Sequence, residues 1–287
     1  PEMRILVFGR VGQLGTALAE LLGPLHETIF LDQPEIDLSK PDSVFAHVHE
    51  HAPDLVVNAA AYSAVDKAET EPDLTDAINA RAPGAMALAC AGAKIPLVHY
   101  STDYVFDGSA STPYRESAPV NPQSVYGRGK LAGEQAVAQA TDQHVILRTA
   151  WLYSHVGHNF LKTMLRLAAD GKPVRVVGDQ IGSPTYAWDL AQASVAVVEA
   201  LAQGRDDVYG IFHATNAGVT SWHGFAERIF DLAGYDDVEL VDISTDEYPT
   251  PAPRPAYSVL CCERLQEAFG LTLPEWPDAL ARCIERL

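Results

Sequence analysis

RILVFGRVGQLGTALAELL, residues 4–22, decides the fold. After Arg4 it opens with four consecutive apolar residues, the pattern of a strand covered on both faces. Gly9, Gly12 and Gly15 follow with the spacing G-x-x-G-x-x-G. Leu14, Leu18, Leu21 and Leu22 then mark one face of a helix that Gly23-Pro24 ends. A glycine-rich turn between a strand and a helix lets a pyrophosphate approach the backbone and face a helix N-terminus. The same turn without a ligand is only a tight connection. Its place between a strand and a helix favours the nucleotide.

Outward from this unit the pattern repeats. Glu27–Asp32 reads as a second strand, with Asp32 at its end, where a carboxylate can accept hydrogen bonds from an adenosine ribose or simply cap a turn. Asp37-Leu38-Ser39 opens the next element, and Ser39 or Asp42 is expected to cap a helix over 42–51. Asp54–Ala61 is a strand ending in Ala59, Ala60 and Ala61, small side chains that leave room for a flat ligand. An Ala-rich helix is expected from about Leu74 to Ala93, with Ala77, Ile78, Met86 and Leu88 as core positions. Pro96–Ser101 and Gln143–Arg148 are the fourth and fifth strands. This alternation predicts an α/β fold, a doubly wound parallel sheet of the Rossmann kind. Ligands of such sheets lie outside the carboxyl ends of the strands. Gly9, Asp32, Ala59–Ala61 and Ser101–Asp103 all fall there.

After Trp151 the rhythm loosens. Helices are expected over 159–170, 187–201 and 222–232, and short strands over 174–177, 210–214 and 238–241. A Pro-rich loop, 248–255, precedes the last helices. The expected division is a dinucleotide-binding domain over 3–152, with late elements from about 187–215, and a smaller interleaved substrate-binding domain over 153–186 and 216–287.

Asp and Glu number 38 against 20 Lys and Arg, a net charge of −18. That balance argues against nucleic acid as a partner, since phosphate backbones require a basic face, and against an anionic membrane surface. A small anionic ligand stays compatible with it. Cys90, Cys261, Cys262 and Cys283 show no metal spacing, and Cys261 and Cys262 should point apart in a strand. Reduced thiols and a cytoplasmic location are expected, with no membrane span. The ten histidines suggest no ligand constellation; His155 and His158 read as solvated surface, and Trp188, Trp222 and Trp276 as helix-packing residues. Asp66, Glu69 and Glu71 should favour a helix N-terminus through its dipole.

Tyr126 and Lys130 are the chemically pointed pair. In a helix, i and i+4 share one face. An ammonium beside a phenol stabilises the phenolate and makes the tyrosine a better proton donor near neutral pH. An exposed Tyr-x-x-x-Lys is otherwise common, so its force comes from the nucleotide site at the other strand ends.

With these residues in hand, the chain resembles the extended short-chain dehydrogenase/reductases, and more narrowly the dTDP-4-dehydrorhamnose reductase family. The segments carrying the resemblance span most of the chain: FGRVGQLG (8–15), VVNAAAYSAVDKAETEP (56–72), HYSTDYVFDG (99–108), VYGRGKLAGE (125–134), RTAWLY (148–153), NFLKTMLRLA (159–168), DQIGSPT (179–185) and YPTPAPRP (248–255). The resemblance implies NAD(P)H-dependent reduction of the C4 ketone of dTDP-6-deoxy-L-lyxo-4-hexulose to dTDP-L-rhamnose. It makes Thr102, Tyr126 and Lys130 the catalytic set, with Tyr126 as proton donor. It places NADPH or NADH over Gly9, Arg10, Val11, Gly12, Gln13 and Leu14. The adenosine falls near Asp32, Asp37 and Leu38, and Ala59, Ala60 and Ala61 lie along the cofactor. The sugar falls near Val65, Tyr104 and Trp151, and Arg254 becomes a partner for the diphosphate.

Arg10 favours a 2′-phosphate and Asp32 repels one, so both cofactors stay open. Some family members form dimers bridged by Mg²⁺ on glutamates. Here Thr16-Ala17-Leu18 and Ala187-Trp188 stand in the corresponding places. A monomer, or a dimer without a metal bridge, is therefore expected, and no protein metal site. Two alternatives accompany this reading. One is a reductase of another 4-keto deoxysugar nucleotide. The other is a non-catalytic regulatory subunit resembling that of methionine adenosyltransferase.

Overall fold

A computed structural model describes residues 1–287. In chain order the first half comprises β1 (Arg4–Phe8), α1 (Gln13–Leu22), β2 (Glu27–Leu31), α2 (Ser43–His51) and β3 (Leu55–Asn58). Then come α3 (Val65–Ala68), α4 (Pro72–Asp76), α5 (Ala82–Ala93), β4 (Leu97–Thr102), α6 (Val125–Ala140) and β5 (His144–Thr149). The second half holds β6 (Leu152–Tyr153), α7 (Phe160–Ala169), β7 (Val174–Val177), β8 (Ile181–Gly182), β9 (Thr185–Tyr186) and α8 (Ala187–Ala202). It ends with β10 (Gly210–His213), β11 (Thr220–Ser221), α9 (Trp222–Ala233), β12 (Leu240–Ile243), α10 (Glu263–Phe269) and α11 (Trp276–Glu285).

Six strands form the central sheet in the order β10-β5-β4-β3-β1-β2, all parallel. Ile5, Leu6, Val7 and Phe8 of β1 have no exposed surface, because helices cover both faces. One face packs on α2, α5 and α6 through Val44, Met86 and Val137; the other packs on α1 and α8 through Leu18 and Leu190. The second apolar cluster face continues without a break into Val174, Val176, Phe225 and Leu280 of the later half. The later half adds three two-stranded pairs, β7–β12, β8–β11 and β6–β9.

From β1 the chain turns to β2 on one side, and β3 then pairs on the other. The connections therefore part at β1, and a crevice opens between the ends of β1 and β3. Gly9 sits there with φ +96, and a Cβ on it would lie 2.8 Å from the Ala60 amide nitrogen. Only glycine allows the two chain ends to approach so closely.

Local departures from the sequence expectations have physical causes. The long helix over 74–93 is interrupted by a π-turn at Ala77–Arg81, just before Pro83, which cannot donate to the turn behind it. Leu88 is exposed rather than core: Ala82, Ala85, Met86 and Cys90 take the buried face of α5, and Leu88 lies opposite Met86. Neither Ser39 nor Asp42 caps α2 with its side chain. Ser39 instead donates its amide and hydroxyl to Asp37 Oδ1, at 3.0 and 2.6 Å. Cys261 and Cys262 lie in a loop before α10, not in a strand, because only Leu260 makes a bridge to the neighbouring chain, at Tyr114. The strand expected at 238–241 pairs at Leu240–Ile243, where its register with Val174–Val177 is set. All four cysteines are free. No helix is long and apolar enough to cross a membrane.

Candidate active site

β4 delivers Thr102 to the carboxyl edge of the sheet and stops in a single 3₁₀ turn, Asp103–Val105. Thr102 Oγ1 accepts from the Tyr104 amide at 3.2 Å and donates to Asp103 Oδ1 at 3.1 Å. A loop later, Ser124 caps α6, accepting from the Gly127 amide at 3.0 Å. Gly127 is glycine for a steric reason: a Cβ there would stand 2.5 Å from the Tyr104 carbonyl oxygen. The close approach puts the Tyr104 and Tyr126 rings edge to face, with centroids 5.6 Å apart. One turn on, Lys130 is buried and donates from Nζ to the Tyr100 carbonyl at 2.7 Å.

These side chains share a cleft of about 430 Å³ with Gly12, Gln13, Leu14, Ala59, Ala61, Val65, Thr102, Tyr104 and Trp151. Eleven of the residues expected from the sequence thus line one space. Gly9, Arg10, Val11, Asp32, Asp37, Leu38, Ala60 and Arg254 do not line it. Gly9 and Ala60 shape the crevice from behind. Asp32 accepts the amides of Arg10 and Val11 at 2.8 and 3.3 Å, holding the glycine turn against the end of β2. Val11 is 77% exposed, and the Arg10 guanidinium pairs with Glu35 at 3.3 Å. Leu38 packs toward the α2 face of the sheet. Arg254 forms a fork-to-fork pair with Asp66, at 2.8 and 3.0 Å, beside a smaller hollow that Tyr104 shares with the cleft.

Burial and then the nearby Asp103 carboxylate push the Tyr126 phenol up to about 12, against a lowering contribution from the Thr102 hydroxyl. The sequence expectation of a phenol depressed by Lys130 is not met in the free protein. The lysine points its ammonium at the strand backbone, and burial holds it down to about 8 despite attraction from Glu134. Burial pushes Asp103 up to about 6, although Ser258 and Thr102 hydrogen bonds act the other way, and its Oδ2 is buried without a partner. For Asp32, burial acts upward, and the Arg10, Gln33 and Val11 amides outweigh it, holding the carboxyl below its ordinary value. Behind Lys130, a buried Arg148–Glu134 pair at 2.7 Å, which also takes the Ser101 hydroxyl, ties α6 to β4 and β5.

Three features escaped the sequence. Trp222 is not merely a packing residue: it stacks on Trp151 at 3.7 Å and 13° and lines the cleft. Trp151 itself sits at φ +50, which turns its ring toward α9. His158 lines the cleft as well, while His155 bonds the Tyr186 hydroxyl at 2.9 Å. A histidine constellation does exist, away from the cleft: His47, Glu50 and His51 bring their ligand atoms within 4.8 Å of one another at the end of α2. The spacing i, i+3, i+4 in HVHEH was the signal for it.

The glycine turn fits a dinucleotide. A Cβ on Gly12 would meet nothing within 4 Å, so open space stands over the backbone at the cleft wall. Gly12 is the N-cap of α1 and offers no side-chain cap, which leaves the first amides of that helix to an anion.

A doubly wound parallel sheet with this cleft at its carboxyl edge is that of a short-chain dehydrogenase/reductase. The chain belongs to the family described as RmlD substrate binding domain, which matches residues 3–287. A dTDP-4-dehydrorhamnose reductase of Sinorhizobium fredii is 44% identical over 98% of this chain and 97% of its own. A dTDP-4-dehydrorhamnose reductase from Clostridium acetobutylicum superposes with a TM-score of 0.93 at 41% identity, covering 99% of both chains. The Bacillus anthracis dTDP-4-dehydrorhamnose reductase, solved in complex with NADP, gives the same TM-score at 36% identity and covers all of both chains.

Proposed function

We propose that this protein reduces the C4 ketone of dTDP-6-deoxy-L-lyxo-4-hexulose with NADPH or NADH, giving dTDP-L-rhamnose. The observation that carries the reading is the meeting of Thr102, Tyr126 and Lys130 in one cleft with the glycine turn of α1. Full-length likeness to reductases of that name supports it.

The α1 N-terminus, with Gly12, Gln13 and Leu14, holds the pyrophosphate; Asp32 meets the adenosine ribose; and Ala59 and Ala61 flank the cofactor. Bound there, the reduced nicotinamide supplies a hydride to the ketone carbon. As charge grows on the ketone oxygen, the Tyr126 phenol gives up its proton to it as general acid. A phenol pushed up to about 12 keeps that proton until the charge develops. The Thr102 hydroxyl supplies a second hydrogen bond to the same oxygen. Lys130, anchored on Tyr100, has two N–H donors left for a ribose and a positive charge that stabilises the resulting phenolate.

The sugar lies against Val65, Tyr104 and Trp151, and the diphosphate runs toward Arg254. Segments 153–186 and 216–287 then act as the substrate side of the molecule, and 3–152 with about 187–215 as the cofactor side. Glu20, the one carboxylate of α1, accepts from Trp188 Nε1 at 2.6 Å and pairs with Arg286, so it is engaged within the chain; the protein acts as a monomer or a dimer without a metal bridge.

The test supplies purified protein with the 4-keto sugar nucleotide and NADH or NADPH in turn. Loss of reduced-nicotinamide absorbance with dTDP-L-rhamnose as product is expected. Absence of oxidation with both cofactors overturns the reading.

A further inference from the structure

We infer that Glu69 is a positioning residue for Tyr126. The segment after β3 is rich in acids, and three of its carboxylates each hold a different neighbouring segment. Asp66 takes the Arg254 fork and the Ala252 amide, at 2.8, 3.0 and 3.2 Å. Glu71 accepts from the Tyr62 hydroxyl at 2.6 Å. Glu69 accepts from the Val125 amide at 2.8 Å, across 56 residues of chain.

Val125 is the first residue of α6, and Tyr126 is the second. The opening turn of a helix has amides with no partner in the helix, and its direction is fixed by whatever satisfies them. Here Ser124 Oγ binds the Gly127 amide, and Glu69 binds the Val125 amide. The amides on either side of Tyr126 are thus pinned, one by the residue just before the helix and one by a distant carboxylate. A negative charge at this end also suits the helix dipole. The Pro-rich loop closes the arrangement: Arg254 feels the charge of Glu69 as well as that of Asp66. Tyr126 is therefore aimed by a bracket whose residues do not line the cleft.

The inference rests on the reductase reading, and its test separates the two. The variants are Glu69→Ala and Glu69→Gln, compared with the parent protein. Glutamine retains an oxygen that can accept from Val125; alanine does not. Misplacing a catalytic group by an ångström can cost about a hundredfold, so Glu69→Ala should lower kcat by roughly ten- to a hundredfold. The KM for reduced nicotinamide should stay within about twofold, and Glu69→Gln should regain most of the lost kcat. Hydrogen exchange of the amides at 125–127 should quicken in Glu69→Ala and stay near the parent rate in Glu69→Gln. Unchanged kcat in Glu69→Ala overturns the inference, as does equal loss in both variants with unchanged amide exchange. A Glu69→Ala protein that does not fold leaves Glu69→Gln to decide: parent-like exchange and kcat support the amide contact, and loss of either refutes it. If the parent itself turns over no keto-sugar, the reductase reading fails, and the exchange measurement still judges the bracket.

Discussion

Lys130 gives one of its three N–H donors to the carbonyl of Tyr100, at 2.7 Å. That bond ties the ammonium on α6 to the strand that ends in Thr102. The placement of Tyr126 relative to Thr102 is thereby tied to the sheet rather than to a loop. Thr102 and the Tyr126–Lys130 pair thus stand on two rigid elements, β4 and α6.

Tyr126→Phe removes the proposed acid and keeps the ring against Tyr104. Turnover should fall by about a hundred- to ten-thousandfold. Fluorescence titration with reduced nicotinamide should give a Kd close to that of the parent. Near-normal turnover would remove Tyr126 from the mechanism.

Gly9 and Gly12 should respond in opposite ways. Gly9→Ala forces a Cβ against the Ala60 backbone at a left-handed φ, so its Tm should drop by several degrees. Gly12→Ala meets open space and should keep its Tm, while the new methyl obstructs the cofactor and raises its Kd. Thermal melts and titrations on both variants distinguish the roles.

Trp222→Ala removes the stacking partner of Trp151. Aromatic pairs contribute about 0.5–1.5 kcal/mol, so the sugar-nucleotide KM should rise by roughly two- to tenfold if the stacked wall serves the sugar. The cofactor KM should not move, since Trp222 stacks on Trp151 rather than on the glycine turn. A cofactor effect of equal size would contradict that placement.

Asp103 gives a signature in pH. Its carboxyl, pushed up to about 6 by burial, binds more proton folded than unfolded between about pH 4 and 6, so stability falls as pH rises through that window. Asp103→Asn lacks this loss. The difference in unfolding free energy, variant minus parent, should grow by on the order of 2 kcal/mol between pH 4 and pH 7. Urea melts at several pH values measure it, and a flat difference would refute the assignment. The same variant should move the alkaline limb of the rate profile to lower pH, because the Asp103 charge helps to raise Tyr126.

The main sheet was legible because a strand covered on both faces cannot hide: Ile5–Phe8, Leu55–Val57 and Val145–Leu147 read as apolar runs and all lie buried. Gly9, Gly12 and the strand ends told where a cleft would open. Periodicity could not tell which side of an alanine-rich helix is the inside, hence the error at Leu88. Nor could it show a π-turn, since Asn79 there looks like any helical residue. In the structure its side chain clasps the Tyr62 backbone with two bonds of 2.8 Å. Trp222 was missed because a tryptophan at a helix start has the same signature whether it packs inward or faces a cleft. Only the backbone turn at Trp151 brings the two rings together. Glu69 was read as a local dipole effect, whereas its partner is 56 residues away.

A bulky residue held at φ +50 costs on the order of 1–3 kcal/mol. At Trp151 the chain carries that cost to present an indole to the cleft. The position is accordingly a point of conflict between robustness and recognition: Trp151→Gly would relax the backbone while stripping the wall from the cleft. The same substitution would also forfeit the stack on Trp222 and the indole's packing on the core, so the strained backbone is held in place by the very wall it builds.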